Sequence, residues 1–255
     1  STNIANIRMA RTLFQSAGGR YYMLDNAAII MPAISDLVAT SLFRIAVVLD
    51  SPVDLPVLQR ALANIAPRFP YFLVELRRGF FWYYFQPSRK SPTVIADIGS
   101  PCQGLDPRKT RGHLFRVRAR GSRIACEFSH ILADGYGGLI FAKTLLAEYF
   151  RLQGVTSGPA PDVFQPGSEP HPHEWEDAYH RYFRDNWPHP DPRPRAFRPP
   201  SPALPLGKYR VLTGIFDLAA VRRAAQSRDS TVTELLTAAL IFAYQGIWES
   251  LPPRA

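Results

Sequence analysis

Arg123-Ile124-Ala125-Cys126-Glu127-Phe128-Ser129-His130-Ile131-Leu132-Ala133-Asp134-Gly135-Tyr136-Gly137-Gly138 is the stretch that decides the fold. Its first seven residues are apolar on average and read as a central strand. The strand ends at His130. Asp134-Gly135 and Gly137-Gly138 read as a tight turn. Leu139 to Leu152 then reads as an amphipathic helix, with Leu139, Phe141, Ala142, Leu145, Leu146 and Tyr149 along its apolar side and Gly154 closing it. An imidazole therefore stands where a buried strand ends, with a carboxylate four residues later beside glycines. A neutral imidazole near physiological pH accepts a proton from a hydroxyl, amine or thiol. A base at a strand end is held by the sheet behind it. Taken singly, a histidine after a strand is a structural residue and Asp-Gly is a turn. The combination points to chemistry.

Upstream, Leu42 to Leu49 is rich in branched residues and predicts a strand, and Asp50-Ser51-Pro52 a turn. Asp54 suits an N-cap for a helix from Leu55 to Ile65, with Pro56 in its first turn and Leu55, Leu58, Leu62 and Ile65 on one face. Pro67 stops it. Tyr71 to Leu76 and Phe80 to Phe85 read as strands around an Arg78-Gly79 turn. The aromatic run is either a stacking platform for bases or a strand packed on both faces, and the second reading is favoured. Residues 87–111 form a polar connection. His113 to Arg120 predicts the strand before the Gly121-Ser122 turn. Residues 1–20 are weakly patterned.

Downstream, 13 of the 24 prolines fall between Pro159 and Pro205. That composition predicts a long surface crossover, interrupted by one helical stretch from about Glu174 to Trp187. His171, His173, His180 and His189 lie in it without a rigid frame or a familiar ligand spacing, so no metal site is expected. Lys208 to Phe216 reads as a strand and Leu218 to Ala225 as a helix. A further helix runs from Val232 to about Trp248, with Thr231 and Glu234 in a capping-box pattern. The expected organisation is a first subdomain over 1–153, a linker over 154–206 and the start of a second subdomain over 207–255.

The chain has 255 residues, 46% of them hydrophobic, which is ample for a buried core. It contains no run of 18 apolar residues and no signal-peptide pattern. Cys102 and Cys126 are far apart, and Cys126 sits in an apolar run, as a small buried hydrophobe would. These features predict a cytoplasmic protein without a membrane span. The formal net charge is +9. The arginines are scattered and no nucleic-acid-binding motif is present, so nucleic acid is not expected as a partner. A solvated, Arg-rich surface accounts for the charge, and a modest positive field would favour an anionic substrate.

The segment from His130 to Gly135 resembles the His-x-x-x-Asp-Gly motif of the chloramphenicol acetyltransferase-like superfamily. That group includes coenzyme A-dependent acyltransferases and the condensation domains of peptide synthetases. Further stretches are similar: Ala61 to Phe72 with Pro67-Arg68-Phe69-Pro70, Thr231 to Tyr244, and Leu24-Asp25-Asn26-Ala27-Ala28 with Phe80-Phe81-Trp82-Tyr83-Tyr84. Leu24 to Ala28 together with Phe80 to Tyr84 looks like a bacterial alcohol acetyltransferase-like branch. The likeness spans roughly residues 21–250. It implies an α/β two-layer sandwich, chloramphenicol acetyltransferase-like, with helices packed on a mixed or antiparallel sheet. It implies His130 as general base in acyl transfer from an acyl thioester to a hydroxyl or amine. Asp134 would point away from substrate and hold the loop through an arginine, with Arg68 as candidate partner and Arg116 in reserve, and Gly135 would let the turn close. Acyl-CoA, such as acetyl-CoA, would be the co-substrate, with no tightly bound cofactor and a small-molecule acceptor. A carrier-protein-dependent condensation step and a non-catalytic binding module are the alternative readings. Members of the superfamily have two similar halves, and the Asp-Phe-Gly-Trp-Gly-like motif of many second halves is not present here. The chain is therefore expected to need a missing C-terminal half or a complementary chain.

Overall fold

The computed structural model describes residues 14–16, 19–35, 40–155, 158, 160–184, 196–200, 204–205 and 210–251. The elements run, in chain order, β1 (Phe14–Ser16), β2 (Gly19–Met23), α1 (Asn26–Ile34), β3 (Leu42–Val48), α2 (Leu55–Ile65), β4 (Val74–Arg78), β5 (Tyr83–Pro87), β6 (Val94–Ala96), β7 (Phe115–Arg120), β8 (Arg123–Ser129), α3 (Gly135–Leu152), α4 (Ala178–Tyr182), α5 (Leu218–Gln226) and α6 (Val232–Glu249). The chain divides into two compact units, Ser1–Asp185 and Asn186–Ala255.

In the first unit the main sheet has the order β3-β8-β7-β6. The β3–β8 and β7–β8 pairs are antiparallel, and β6 runs parallel to β7. A second, antiparallel sheet has the order β1-β2-β5-β4. Among the described residues, a bridge between Glu75 and His113 joins the two. Helices α2 and α3 pack on each other and on the main sheet, giving the α/β two-layer arrangement.

The pleat of β8 sets the layers. Ile124, Cys126 and Phe128 face the helices and belong to the core, together with Phe115 and Val117 of β7 and Leu58, Leu62 and Ile65 of α2. Phe141 of α3 stacks on Phe72 at 5.1 Å and meets Phe128 edge-on at 5.6 Å. Burying a side chain of this size stabilises by roughly 1.5–3 kcal/mol. Burial leaves Cys126 inert, its thiol pushed up to about 12, and both cysteines are free. The opposite face of the sheet is charged. Glu127, fully buried, accepts from Arg44 at 2.7 Å, Arg116 at 2.5 Å and Arg118 at 3.1 Å. Asp97 receives Arg44 at 2.6 Å and Arg123 at 2.8 Å.

Several elements depart from local expectation. Phe69 and Phe72 both turn into the core, so residues 69–73 form turns and β4 begins only at Val74. The aromatic run is not a continuous strand packed on both faces. β5 starts at Tyr83, and Phe80 and Phe81 are exposed in the connecting turn. Helix α3 begins at Gly135, so the expected Asp-Gly turn is an N-cap and first helical turn. Short β6 lies inside the stretch read as a polar connection, held by Val94 donating to the Gln59 side chain at 2.8 Å. Helix α1 has little amphipathic signal and carries Pro32 inside it. Among the described residues, 210–216 pair with no strand, while Lys208 and Tyr209 lie outside them. The helical stretch expected from Glu174 is broken into a 3-10 turn at Pro172–Trp175 and α4, and Trp187 lies outside the described residues.

In the second unit, Asp217 caps α5 by accepting from Ala220 at 2.6 Å. Thr231 and Glu234 form the expected capping box on α6. The apolar side chains Leu240, Ile241 and Phe242 are exposed.

Two consequences follow for stability. Burial pushes the Asp97 carboxyl up, but the hydrogen bonds and charges of Arg44, Arg123 and Arg118 outweigh it and hold it at about 2. A carboxyl depressed in this way contributes about 2 kcal/mol above its unfolded pKa, lost as pH falls through the folded value. Urea unfolding should show that loss between about pH 4 and 2, and Asp97→Asn should flatten it. At Gly138 an added Cβ would lie 2.7 Å from the Phe43 ring and 3.1 Å from that of Phe128. Gly138→Ala should therefore destabilise by about 1–3 kcal/mol. Gly135→Ala, with open space around the position, should leave the unfolding midpoint nearly unchanged.

Candidate functional site

His130 follows the last residue of β8. Its backbone N–H donates to the Ser41 carbonyl at 2.9 Å, which extends the β3–β8 pairing by one step. The imidazole is exposed and lies against Phe43, ring centroids 4.7 Å apart. Among the described residues neither ring nitrogen has a hydrogen-bond partner. The backbone of Leu132 and Ala133 turns back onto the Ser129 carbonyl. Asp134 then caps α3, accepting from Gly137 N–H at 2.7 Å. Histidine and aspartate thus sit at the two ends of one short loop. The imidazole is open, and the carboxylate is engaged by the helix terminus.

Both residues line a cavity of about 1020 Å³ in the first unit. Apolar side chains from four sources build much of its wall: Met23 and Met31 beside α1, Phe72 and Val74 at the start of β4, Leu132 and Ile140 around the motif, and Trp175 from the crossover. Five carboxylates also line it, and no lysine or arginine does among the described residues. These carboxylates organise the walls. Asp25 caps α1 through Ala28 N–H at 2.6 Å. Asp177 caps α4 through Tyr179 N–H and accepts from the backbone and side chain of Asn26 at 3.2 and 3.0 Å. Three helix starts therefore meet at this cavity. Among the described residues, no group of three or more His, Cys, Asp or Glu side chains could hold a metal ion.

Arg68 and Asp134 are not brought together. Arg68, 4% exposed, makes a bidentate pair with Glu174, both bonds at 2.7 Å, and donates to Ser168 at 2.9 Å. Its guanidinium lies 3.9 Å from the centre of the Phe164 ring. The reserve candidate, Arg116, is taken by Glu127 and the Gln103 carbonyl. A buried guanidinium takes the partner that satisfies its fork, and an exposed capping aspartate does not offer it. Tyr71 adds its hydroxyl to Glu174 at 2.6 Å and stacks on Trp175. Burial raises the Glu174 carboxyl, but hydrogen bonds from Arg68 and Tyr71 prevail and lower it. The same burial drives the Tyr71 phenol upward. The sequence reading did not find Glu174, Tyr71, Trp175 and Phe164, which fasten part of the proline-rich crossover over the cavity. The one local signal was Glu174 three residues after His171, whose N–H it accepts at 2.8 Å. Of the crossover histidines, His173 lines the cavity and His171 caps the 3-10 turn, while His189 lies outside the described residues.

No protein-family model matches the chain, and no curated protein sequence matches it. Solved structures do. A variant of the starter condensation domain of rhizomide synthetase RzmA, in complex with C8-CoA and Leu-SNAC, is similar at 12% identity and a TM-score of 0.44, over 63% of this chain and 40% of that one. Polyketide synthase associated protein 5 from Mycobacterium tuberculosis is similar at 17% identity and a TM-score of 0.39, over 56% and 36%. The SgcC5 protein from Streptomyces globisporus is similar at 18% and 0.38, over 48% and 32%. The chain thus spans between 32% and 40% of the length of these structures. At such scores and identities none of them assigns chemistry to this chain.

Removing one partner of a buried ion pair strands the other charge, which typically costs about 3–5 kcal/mol. Glu174→Ala should therefore destabilise the first unit on that scale in urea unfolding. It should also speed limited proteolysis between residues 160 and 184, whereas Glu176→Ala, whose partners are exposed, should do neither.

Proposed function

We propose that the protein takes part in acyl transfer from a pantetheine thioester to a hydroxyl or amine, with His130 as the general base. The observation that carries this reading is the open imidazole at the end of β8, facing a largely apolar cavity, with Asp134 turned into the helix cap. The motif supports this reading for His130, and the helix cap at Gly137 takes the place of the expected arginine as the group that holds Asp134. His130 removes the proton from the acceptor O–H or N–H as that atom attacks the thioester carbonyl. A tetrahedral intermediate forms and collapses, the C–S bond breaks, and the leaving thiolate takes the proton back from the imidazolium. Asp134 is a positioning residue, because it fixes where α3 starts and so where the His130 loop ends. Apolar walls suit an acyl chain or an apolar alcohol. A lining that, among the described residues, is rich in carboxylates and without arginine or lysine favours neutral or cationic acceptors over anionic ones.

Coenzyme A and a carrier protein present the same pantetheine thioester, and the acyl-CoA form is the reading adopted. C8-CoA, the ligand of one similar structure, is a suitable donor beside acetyl-CoA. The test uses the full-length protein, a panel of alcohols and amines, and thiol release as readout. His130→Ala should lower turnover by about 10²–10⁴-fold with little change in thermal stability. Undiminished turnover in that variant would remove the base assignment. Turnover only with a carrier-bound acyl group would move the donor to the condensation class.

A further inference from the structure

The chemistry above leaves one sequence feature unused, the aromatic run Phe80-Phe81-Trp82. It forms the tip of the β4–β5 hairpin. Arg78 pairs with Tyr83 across the strands, and Gly79 N–H donates to the Trp82 carbonyl at 2.7 Å, so Phe80 and Phe81 stand at the apex. Both are 85% exposed, edge to face with centroids 4.6 Å apart, and Trp82 is half exposed beside Gly79. No charged residue occurs from Gly79 to Pro87. Exposed cations stand along the hairpin behind the tip. Arg78 adjoins the tip and has no ion pair among the described residues, Arg77 beside it shares Glu75 with Lys90, and Arg89 lies past Pro87 at the far end of the hairpin.

Exposing such rings to water is unfavourable, and a turn with two phenylalanines at its apex needs a physical reason. The exposed aromatic area is on the order of 500 Å². That is less than the roughly 800 Å² per partner of a stable protein interface, and it stands at the apex of a turn. The interfacial zone of a bilayer accepts such a feature: aromatic rings enter the acyl boundary while arginines behind them remain at the headgroups. The charge complementarity selects an anionic surface, since the unpaired Arg78 adjoins the tip and the chain carries a net +9.

We propose that the Phe80–Phe81 hairpin tip is a docking element for anionic lipid surfaces. The protein rests on the bilayer by this tip; among the described residues no helix is long and apolar enough to cross a membrane. The inference is independent of the acyl-transfer reading.

Flotation of the full chain with phosphatidylcholine vesicles, with and without phosphatidylglycerol, tests it. Binding is expected to phosphatidylglycerol vesicles at low salt, weakened by raising the salt. Phe80→Ser with Phe81→Ser should weaken it by more than about tenfold, and Arg78→Glu by about the same factor. Both variants should keep the wild-type melting temperature, since the changed side chains are exposed. Absence of binding to the anionic vesicles would overturn the proposal, and so would binding that the double variant leaves intact. A dimer in sedimentation velocity, or capture of a single-stranded oligonucleotide, lost in the double variant without vesicle binding in the wild type, would assign the tip to that partner instead.

Discussion

The alternation of side chains along β8 is the constraint on which the rest of the first unit depends. One face sends Phe128 into a cluster with Phe72, Phe115 and Phe141. The other sends Glu127 among three arginines with no access to water. A slip of one residue would put a carboxylate into the aromatic core and a phenylalanine among guanidinium groups. Both errors are heavily penalised, so the register is secured from both sides. The strand end is therefore fixed in space, and His130 with it.

The cavity beside His130 is made largely by helix termini. Asp25, Asp134 and Asp177 each accept a backbone N–H at the start of a helix, and each lines the cavity. Capping satisfies donors that would otherwise be unpaired and sets a negative group against the positive end of the helix dipole. The walls are held by local bonds, while much of the lining is apolar and the His130 imidazole stays open to the cavity. Among the described residues, no lysine or arginine of this basic chain lines it. Arg68 stands behind the wall, closed off by Glu174, and the arginines of the main sheet lie on its far face.

Much of this was legible along the chain. The periodicity at 55–65, the strand at 123–129 and the capping signals at Asp54 and Thr231 are local patterns, and the structure forms each from them. Even there, tertiary context moved boundaries. Leu55 stays exposed at the start of its helix, and the glycine under steric constraint proves to be Gly138 rather than Gly135. Short β6 and the weakly amphipathic α1 carried too little local signal, because their stability comes from Gln59 and from Asp177 elsewhere in the chain.

By itself the sequence determined the buried face of α2 at Leu58, Leu62 and Ile65, the extent of β8, and that a histidine ends a strand four residues before an aspartate. Periodicity and capping act over a few residues, so they leave their mark in the sequence. Which carboxylate meets Arg68 was decided only by the tertiary structure. Glu174 lies 106 residues from it, and a contact across that separation follows from how the crossover folds back over the core. The same holds for the cavity. Its lining comes from β2, α1, β4, the His130 loop and the crossover, and only their packing brings those residues into one space.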